Sequence, residues 1–524
     1  MTTTQLTTGT TPSGSTTANS GQRGPRSRRR IASTALTAAS FLLLTGLGIA
    51  AAPASFAGTP GGTSAIDRNS DFDGDGYDDI LTGAPDGTVG GKEQAGYVTV
   101  QYGAANGLGT NNSVPKARTA VFSPSTAGVP GDSQRWGFFG AAVATGDIDA
   151  DGYDDAVIGS PGEDVGSLDD AGRVTVLYGS KTGLGSARSV SLTSAEPAAG
   201  TRFGSAVTAA RLTGATPGDV VAVLDQRGAQ LFTYSEGTLR HTGTLDTTAH
   251  PAGRAIQPAY LTTGDYDSDG YADLVVSGYG PDDGYAQGWA SVYSGGDSGV
   301  THLRDLWGGL SSASGDINHD GYDDLVLGQN SSPDDEAEGY HGGKIAVYYG
   351  GEEGPEGHEG PGSAPQWWTQ TSPGVPGAGE PGDAWGTELS IGDVDGDGYA
   401  DVAVGAPGED IGTVADAGAV WLLRGSADGV TTTGAQSFDQ NTTDVPGTAE
   451  AGDRWGSQVR LADTNRDRRS ELLAAAPEED TQDGVVWHLP ASTKGLVANG
   501  SWLYGAGSLG APGDNARFGD AIDE

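Results

Sequence analysis

Asp71-Phe72-Asp73-Gly74-Asp75-Gly76-Tyr77-Asp78-Asp79 decides the fold, because it recurs. Its spacing, Asp-x-Asp-x-Asp-Gly-x-x-Asp, returns as Asp147, Asp149, Asp151, Tyr153 and Asp155. It returns again as Asp265, Asp267, Asp269, Tyr271 and Asp273, then as Asp316, Asn318, Asp320, Tyr322 and Asp324. Asp393, Asp395, Asp397, Tyr399 and Asp401 make a fifth copy. A weaker copy runs Asp463, Asn465, Asp467, Arg469, Glu471. An aromatic–Gly pair lies eight residues ahead of the loop in Phe139-Gly140, Trp385-Gly386 and Trp455-Gly456. Phe203-Gly204 keeps that distance to Arg211, so 211–219 reads as a loop that kept only its last acid, Asp219. Seven units follow, with loops starting at 71, 147, 211, 265, 316, 393 and 463.

Short apolar runs follow each loop, as in Ile80-Leu81, Ala156-Val157-Ile158 and Val402-Ala403-Val404. Further runs such as Val174-Thr175-Val176-Leu177-Tyr178 come after an acidic linker, and Gly-rich turns separate the rest. Each unit therefore reads as four short strands. Seven such units predict an all-β fold, a seven-bladed β-propeller. The ends agree. No aromatic–Gly strand stands at the expected distance before Asp71, whereas Phe518-Gly519 near the C-terminus has no loop after it. The C-terminal strand should close the first blade and cover its open edge.

Carboxylates at loop positions 1, 3 and 5 supply hard oxygens, which calcium prefers. Gly at position 6 permits the sharp bend. Position 7, a Tyr, would offer its backbone carbonyl, and position 9 closes the cage. An EF-hand needs Glu at position 12 between helices, whereas position 12 of the first loop is Thr82 and the flanks are strand-like. About five structural calcium sites are expected, in the five full copies. Asn318 lowers the charge of the fifth loop. Arg468 replaces the bend Gly of the seventh, where weak or no binding is expected, and the third should be empty. In an up-and-down meander these 1–2 turns share one face. The other face carries Glu163-Asp164, Asp282-Asp283, Asp334-Asp335-Glu336, Glu409-Asp410 and Glu478-Glu479-Asp480, together with the turns Val129 to Asp132, Val375 to Asp383, Val445 to Asp453 and Ala511 to Asp514.

The aromatic–Gly pairs, the strings Gly83-Ala84-Pro85 and Gly405-Ala406-Pro407, and the acidic loops between them resemble FG-GAP repeats. The chain looks like a bacterial secreted FG-GAP protein and resembles the integrin α-subunit N-terminal propeller over roughly 66–524. The resemblance implies an extracellular binding or adhesion-like module that takes an extracellular protein or glycan ligand on the face away from the calcium loops. Similar repeats accompany a separate catalytic region in a glycosylphosphatidylinositol-specific phospholipase D, so a secreted hydrolase of phospholipase or glycosidase type is the alternative.

A net charge of −41 excludes nucleic acid as a partner, since binding it requires a basic stripe. The chain has no cysteine, hence no disulfide and no thiol chemistry. Residues 1–57 read as a Thr/Ser/Gly-rich start followed by a signal peptide, with Arg28-Arg29-Arg30, an apolar stretch over 31–52 and Ser55-Phe56-Ala57. The arginines resemble a Tat signal, and Sec export stays open. Residues 58–524 form the propeller, a monomer with no membrane span after cleavage. No GxSxG or HExxH motif occurs, and no catalytic residue is assigned. Trp367-Trp368 reads as strand-core packing, His319 as solvent-facing, and the Gly/Glu insertion 350–361 as a flexible turn.

Overall fold

The computed structural model describes residues 70–109, 117–245, 247, 257–279, 288–330, 341–360 and 362–523. The signal peptide expected in 1–57 lies outside them. Seven four-stranded antiparallel sheets succeed one another along the chain, the strands of each pairing in sequence order apart from the C-terminal strand in blade 1 and a short two-stranded pair before the last strand of blade 7. Blade 2 shows the plan: Ala142–Gly146, Asp155–Ser160, Arg173–Tyr178 and Gly185–Leu192 run from the innermost strand outward. The innermost strands of the later blades are Ala206–Ala210, Gln257–Gly264, Ser312–Gly315, Leu389–Gly392 and Gln458–Ala462. No helix among the described residues is long and apolar enough to cross a membrane.

Blade 1 is built from both ends of the propeller. Thr119–Phe122, Tyr97–Gln101 and Ile80–Ala84 are completed by Ala521–Ile522, with Thr82 opposite Ile522 and Gly83 opposite Ala521. Asp523 Oδ1 accepts the Leu81 N–H at 2.8 Å, its own N–H donates to Leu81 O at 3.1 Å, and Ser70 Oγ donates to its Oδ2. The expected closure is present.

The core lies between blades. Seven apolar clusters each join two neighbours, and the cluster of Ile80, Tyr97, Leu473, Val486 and Phe518 joins the last blade to the first. The repeated aromatics Phe139, Phe203, Trp385, Trp455 and Phe518 are all buried in these layers. The glycine after each aromatic explains its partner string. Gly140 O lies 2.1 Å from where a Cβ on Gly83 would sit, and Gly456 O lies 2.0 Å from the same point on Gly405. The Gly of Gly-Ala-Pro is therefore where one blade's backbone touches the next.

The insertion expected to be a flexible turn makes backbone and arginine hydrogen bonds within its described residues 350–360. Tyr349 and Glu356 exchange backbone hydrogen bonds, and Arg304 donates to the carbonyls of Glu353 and Pro355. Trp368 packs against the core as expected, but Trp367 is 37% exposed with Lys344 over its ring, because strand alternation turns the two adjacent side chains to opposite sides.

Candidate metal centres

Each acidic loop leads into the second strand of its blade; in blades 2 to 7 it comes from the first strand, and in blade 1 that strand is the C-terminal Ala521–Ile522. The position-1 Asp shapes the loop. Asp71 accepts the N–H groups of Asp75 and Gly76 at 3.0 and 2.8 Å, and Asp147 accepts those of Asp151 and Gly152 at 3.0 and 3.1 Å. Asp265, Asp316, Asp393 and Asp463 repeat this. The position-9 acid ties the loop to the 3–4 turn. Asp79 accepts from Phe72 N at 2.9 Å and Gly103 N at 2.8 Å, and Asp155, Asp324 and Asp401 do the same in their blades. The position-5 acids Asp75, Asp151, Asp269, Asp320 and Asp397 accept the N–H of Tyr77, Tyr153, Tyr271, Tyr322 and Tyr399.

Carboxylate oxygens converge within 4.8 Å in Asp71, Asp73 and Asp79, in Asp147, Asp149 and Asp155, and in Asp393, Asp395 and Asp401. Positions 1, 3 and 9 thus meet in three loops. In the fourth loop the set is Asp265, Asp267 and Asp269. The seventh, where weak or no binding was expected, also converges through Asp463, Asp467 and Glu471. Arg468 adopts φ +69° there, so the bend forms without its glycine. The fifth loop is not among the convergent sets of the described residues. Asn318 turns its Nδ2 to Asp320 Oδ2 at 2.9 Å, putting a donor where the other full copies place an acid.

Three arginines complete the centres. Arg118 pairs with Asp73, Arg188 with Asp149 and Arg424 with Asp395, each through Oδ2. The second oxygen, Asp73 Oδ1, Asp149 Oδ1 or Asp395 Oδ1, is buried with no hydrogen-bond partner. Buried carboxylate oxygens without a donor are costly. A cation at the convergence point would meet that need, so these residues fit calcium. Burial pushes the closing acids up: Asp79 and Asp155 lie well above the ordinary carboxylate range, Asp273 and Asp401 are at about 7, and Asp324 and Glu471 at about 8.

The loops are also joined to one another. The position-1 carbonyl of each accepts an N–H from the next: Asp71 from Asp154, Asp147 from Asp219, Arg211 from Ala272, Asp265 from Asp323, Asp316 from Ala400, Asp393 from Ser470, and Asp463 back from Asp78. All seven therefore lie on one face. The ring corrects the third loop. Asp219 is the counterpart of Asp154 at position 8, and Val220 takes the place of Asp155, pairing with Ala210 as Asp155 pairs with Gly146. An extra residue in the loop shifts the count by one. The position-8 acids are a second function the spacing did not reveal. Asp78, Asp154 and Asp323 accept the position-1 N–H of the neighbouring loop at 2.7–2.8 Å.

A sequence model of the FG-GAP repeat matches residues 69–100, 139–177, 308–348 and 385–423. The chain carries FG-GAP repeats. Each matched stretch runs through a loop and the strands that follow it. Phosphatidylinositol-glycan-specific phospholipase D of Rattus norvegicus is 35% identical over 115 residues, which is 22% of this chain and 13% of that one. Integrin alpha pat-2 of Caenorhabditis elegans is 35% identical over 136 residues, 24% of this chain and 10% of that one. The FG-GAP chain thus spans only a small part of the relatives it matches. Among solved structures, that of the exotype rhamnogalacturonan lyase YesX is 13% identical with a TM-score of 0.37, covering 81% of this chain and 74% of that chain. That likeness is too weak to argue from.

Proposed function

We propose that the chain is an extracellular binding module whose FG-GAP propeller is held together by calcium. The observation that carries the calcium is the set of buried, partnerless oxygens Asp73 Oδ1, Asp149 Oδ1 and Asp395 Oδ1 inside convergent acidic loops. Calcium here is structural. The loops that would hold it are also the links between blades, so an ion that fixes a loop fixes two junctions.

The extracellular setting rests on the leader pattern in 1–57 and on the integrin alpha relatives. The ligand, a protein or glycan, binds the face away from the calcium loops, where turns on a rigid scaffold are free to vary. Trp136 marks the contact. It stands 51% exposed beside the 2–3 turn of blade 1, its backbone N–H donating to Glu93 O at 3.1 Å and Arg135 stacked over its ring. Exposed Trp and Arg together are common anchors of recognition.

The test is a glycan and matrix-protein array probed with the calcium-loaded chain. Specific capture that is lost in Trp136→Ala supports the reading. Turnover of lipid or glycan substrates by the purified chain would replace it with the hydrolase alternative.

A further inference from the structure

The turn that leads into the repeated aromatic has one shape in five repeats. A backbone hydrogen bond closes it over four residues. Gly137 N donates to Gln134 O at 3.3 Å, and Ala516 N to Gly513 O at 3.1 Å. Thr201 N, Asp383 N and Asp453 N donate to Ala198 O, Glu380 O and Glu450 O, each at 3.4 Å. The third residue of the turn, three before the aromatic, has positive φ in every case. It is +73° at Gly200, +107° at Gly382, +86° at Gly452 and +51° at Asn515. Gly and Asn are the residues such a turn position selects. Before Phe139 the residue is Trp136, at φ +64°. A bulky side chain on that backbone is a steric outlier.

The fold does not account for the indole. The backbone N–H of Trp136 donates to Glu93 O, but Gly200 and Gly452 make the equivalent bonds to Asp169 O and Ala415 O at 2.8 and 3.0 Å. Glycine therefore serves the contact equally well. Half of Trp136 is in solvent, so it adds little to the core. Arg135, whose Cζ lies 4.3 Å from the ring centroid, pairs with Glu93 in an ion pair open to solvent. Pairs of that kind contribute little to stability. Strained backbone that packing does not offset is characteristic of functional sites.

The surroundings select the ligand. Arg135 covers one face of the indole and fixes the ring, leaving a flat apolar surface toward solvent. The neighbours are polar. Gln134 donates to Glu163 Oε1 at 2.8 Å and exchanges hydrogen bonds with the backbone of Asp164. The other exposed large apolar residues among those described, Tyr260, Trp307, Trp367 and Leu503, stand in blades 4, 5 and 7. A protein partner docks on a contiguous apolar core, which is missing around Trp136 among the described residues. A sugar ring offers one apolar C–H face and a rim of hydroxyls, which suits a single flat ring among hydrogen-bonding groups. The net charge of −41 repels sulfated and carboxylated sugars.

Resting on the extracellular binding module proposed above, we infer that Trp136 is a carbohydrate platform: a neutral sugar ring stacks its C–H face on the open side of the indole, and Glu93 and Arg135 hydrogen-bond its hydroxyls.

The experiment probes the full chain in calcium against immobilised neutral oligosaccharides (glucan, galactan, mannan and chitin fragments), heparin, hyaluronan and matrix proteins. Urea unfolding is followed on the same samples. Trp136→Gly should weaken neutral-glycan binding about tenfold or more, yet unfold at no lower urea concentration than the parent, because it relieves the turn. Trp367→Ala, which removes an exposed tryptophan from an ordinary strand, should bind as the parent does. Neutral-glycan binding that survives in Trp136→Gly would overturn the platform and leave the binding module standing. A midpoint that falls along with binding would make Trp136 a structural residue and overturn it too. Capture of proteins or acidic glycans alone would overturn the sugar class, and a parent that captures nothing would remove both readings.

Discussion

At the residue scale, a position-3 carboxylate is paired in three loops. Arg118, Arg188 and Arg424 hold one oxygen of Asp73, Asp149 and Asp395 and leave the other for a cation. Where position 3 is Asn, in Asn318 and Asn465, no arginine pairs with it among the described residues. The fourth loop's Asp267 likewise has no arginine partner among the ion pairs of the described residues, so the pairing belongs to those three loops. Nothing in the loop spacing announces Arg188 or Arg424, which come from other strands of the blade, so only the fold brings them to the site. At the closing position, Asp401→Asn should remove the sixth loop's ion and cost roughly 3 kcal/mol in calcium, the order expected when a buried charge loses its counterpart. The cost should shrink in chelator, and urea denaturation in both conditions measures it. The pH dependence has a definite sign. Asp273, Asp401 and Asp324 have folded-state values raised by burial to about 7, about 7 and about 8 from an ordinary 3.8. Without metal, the stability they give is fully present below the unfolded value and is lost as pH rises through the folded ones. Calcium binds the ionised form, so the gain in Tm on adding calcium should grow between about pH 5 and about pH 8. Melting curves across that range check this, and a gain independent of pH would contradict it.

At the scale of elements, the loop–strand alternation and the aromatic–Gly signposts were legible in the sequence, because each rests on a local backbone requirement. Gly405 is the sharpest case. A Cβ there would meet Gly456 O of the next blade at 2.0 Å. Gly405→Ala should therefore cost about 1–3 kcal/mol, the usual price of overpacking a close contact, and the midpoint of urea unfolding reports it. The loops were less legible where insertion or substitution moved the count. Spacing alone puts Asp219 at position 9, whereas strand pairing puts Val220 there. The seventh loop lacks Gly at position 6, yet Arg468 adopts the left-handed backbone and the acids still meet. Loop geometry there is held by Asp463, whose oxygens accept from Asp467 N and Arg468 N at 2.9 and 2.7 Å, and not by the glycine alone.

At the scale of the molecule, the propeller is a ring closed twice. Backbone hydrogen bonds link all seven loops on one face, and the C-terminal strand completes blade 1. The closure was visible in the sequence as two matching defects. The linked loops were not, since they depend on contacts between residues far apart in the chain. Deleting residues 519–524 would remove Ala521–Ile522 and the bonds of Asp523 to Leu81 and Ser70. The truncated chain should unfold at lower temperature and expose the edge of Ile80–Ala84 to pairing with other chains, which light scattering during the melt would record. Calcium acts on the same ring. The most direct test is the thermal unfolding of the intact chain in calcium, in excess chelator, and after calcium is restored. A chelator-induced fall in Tm that reverses when calcium returns is the result predicted. Superimposable curves in calcium and chelator would contradict a propeller stapled by its acidic loops.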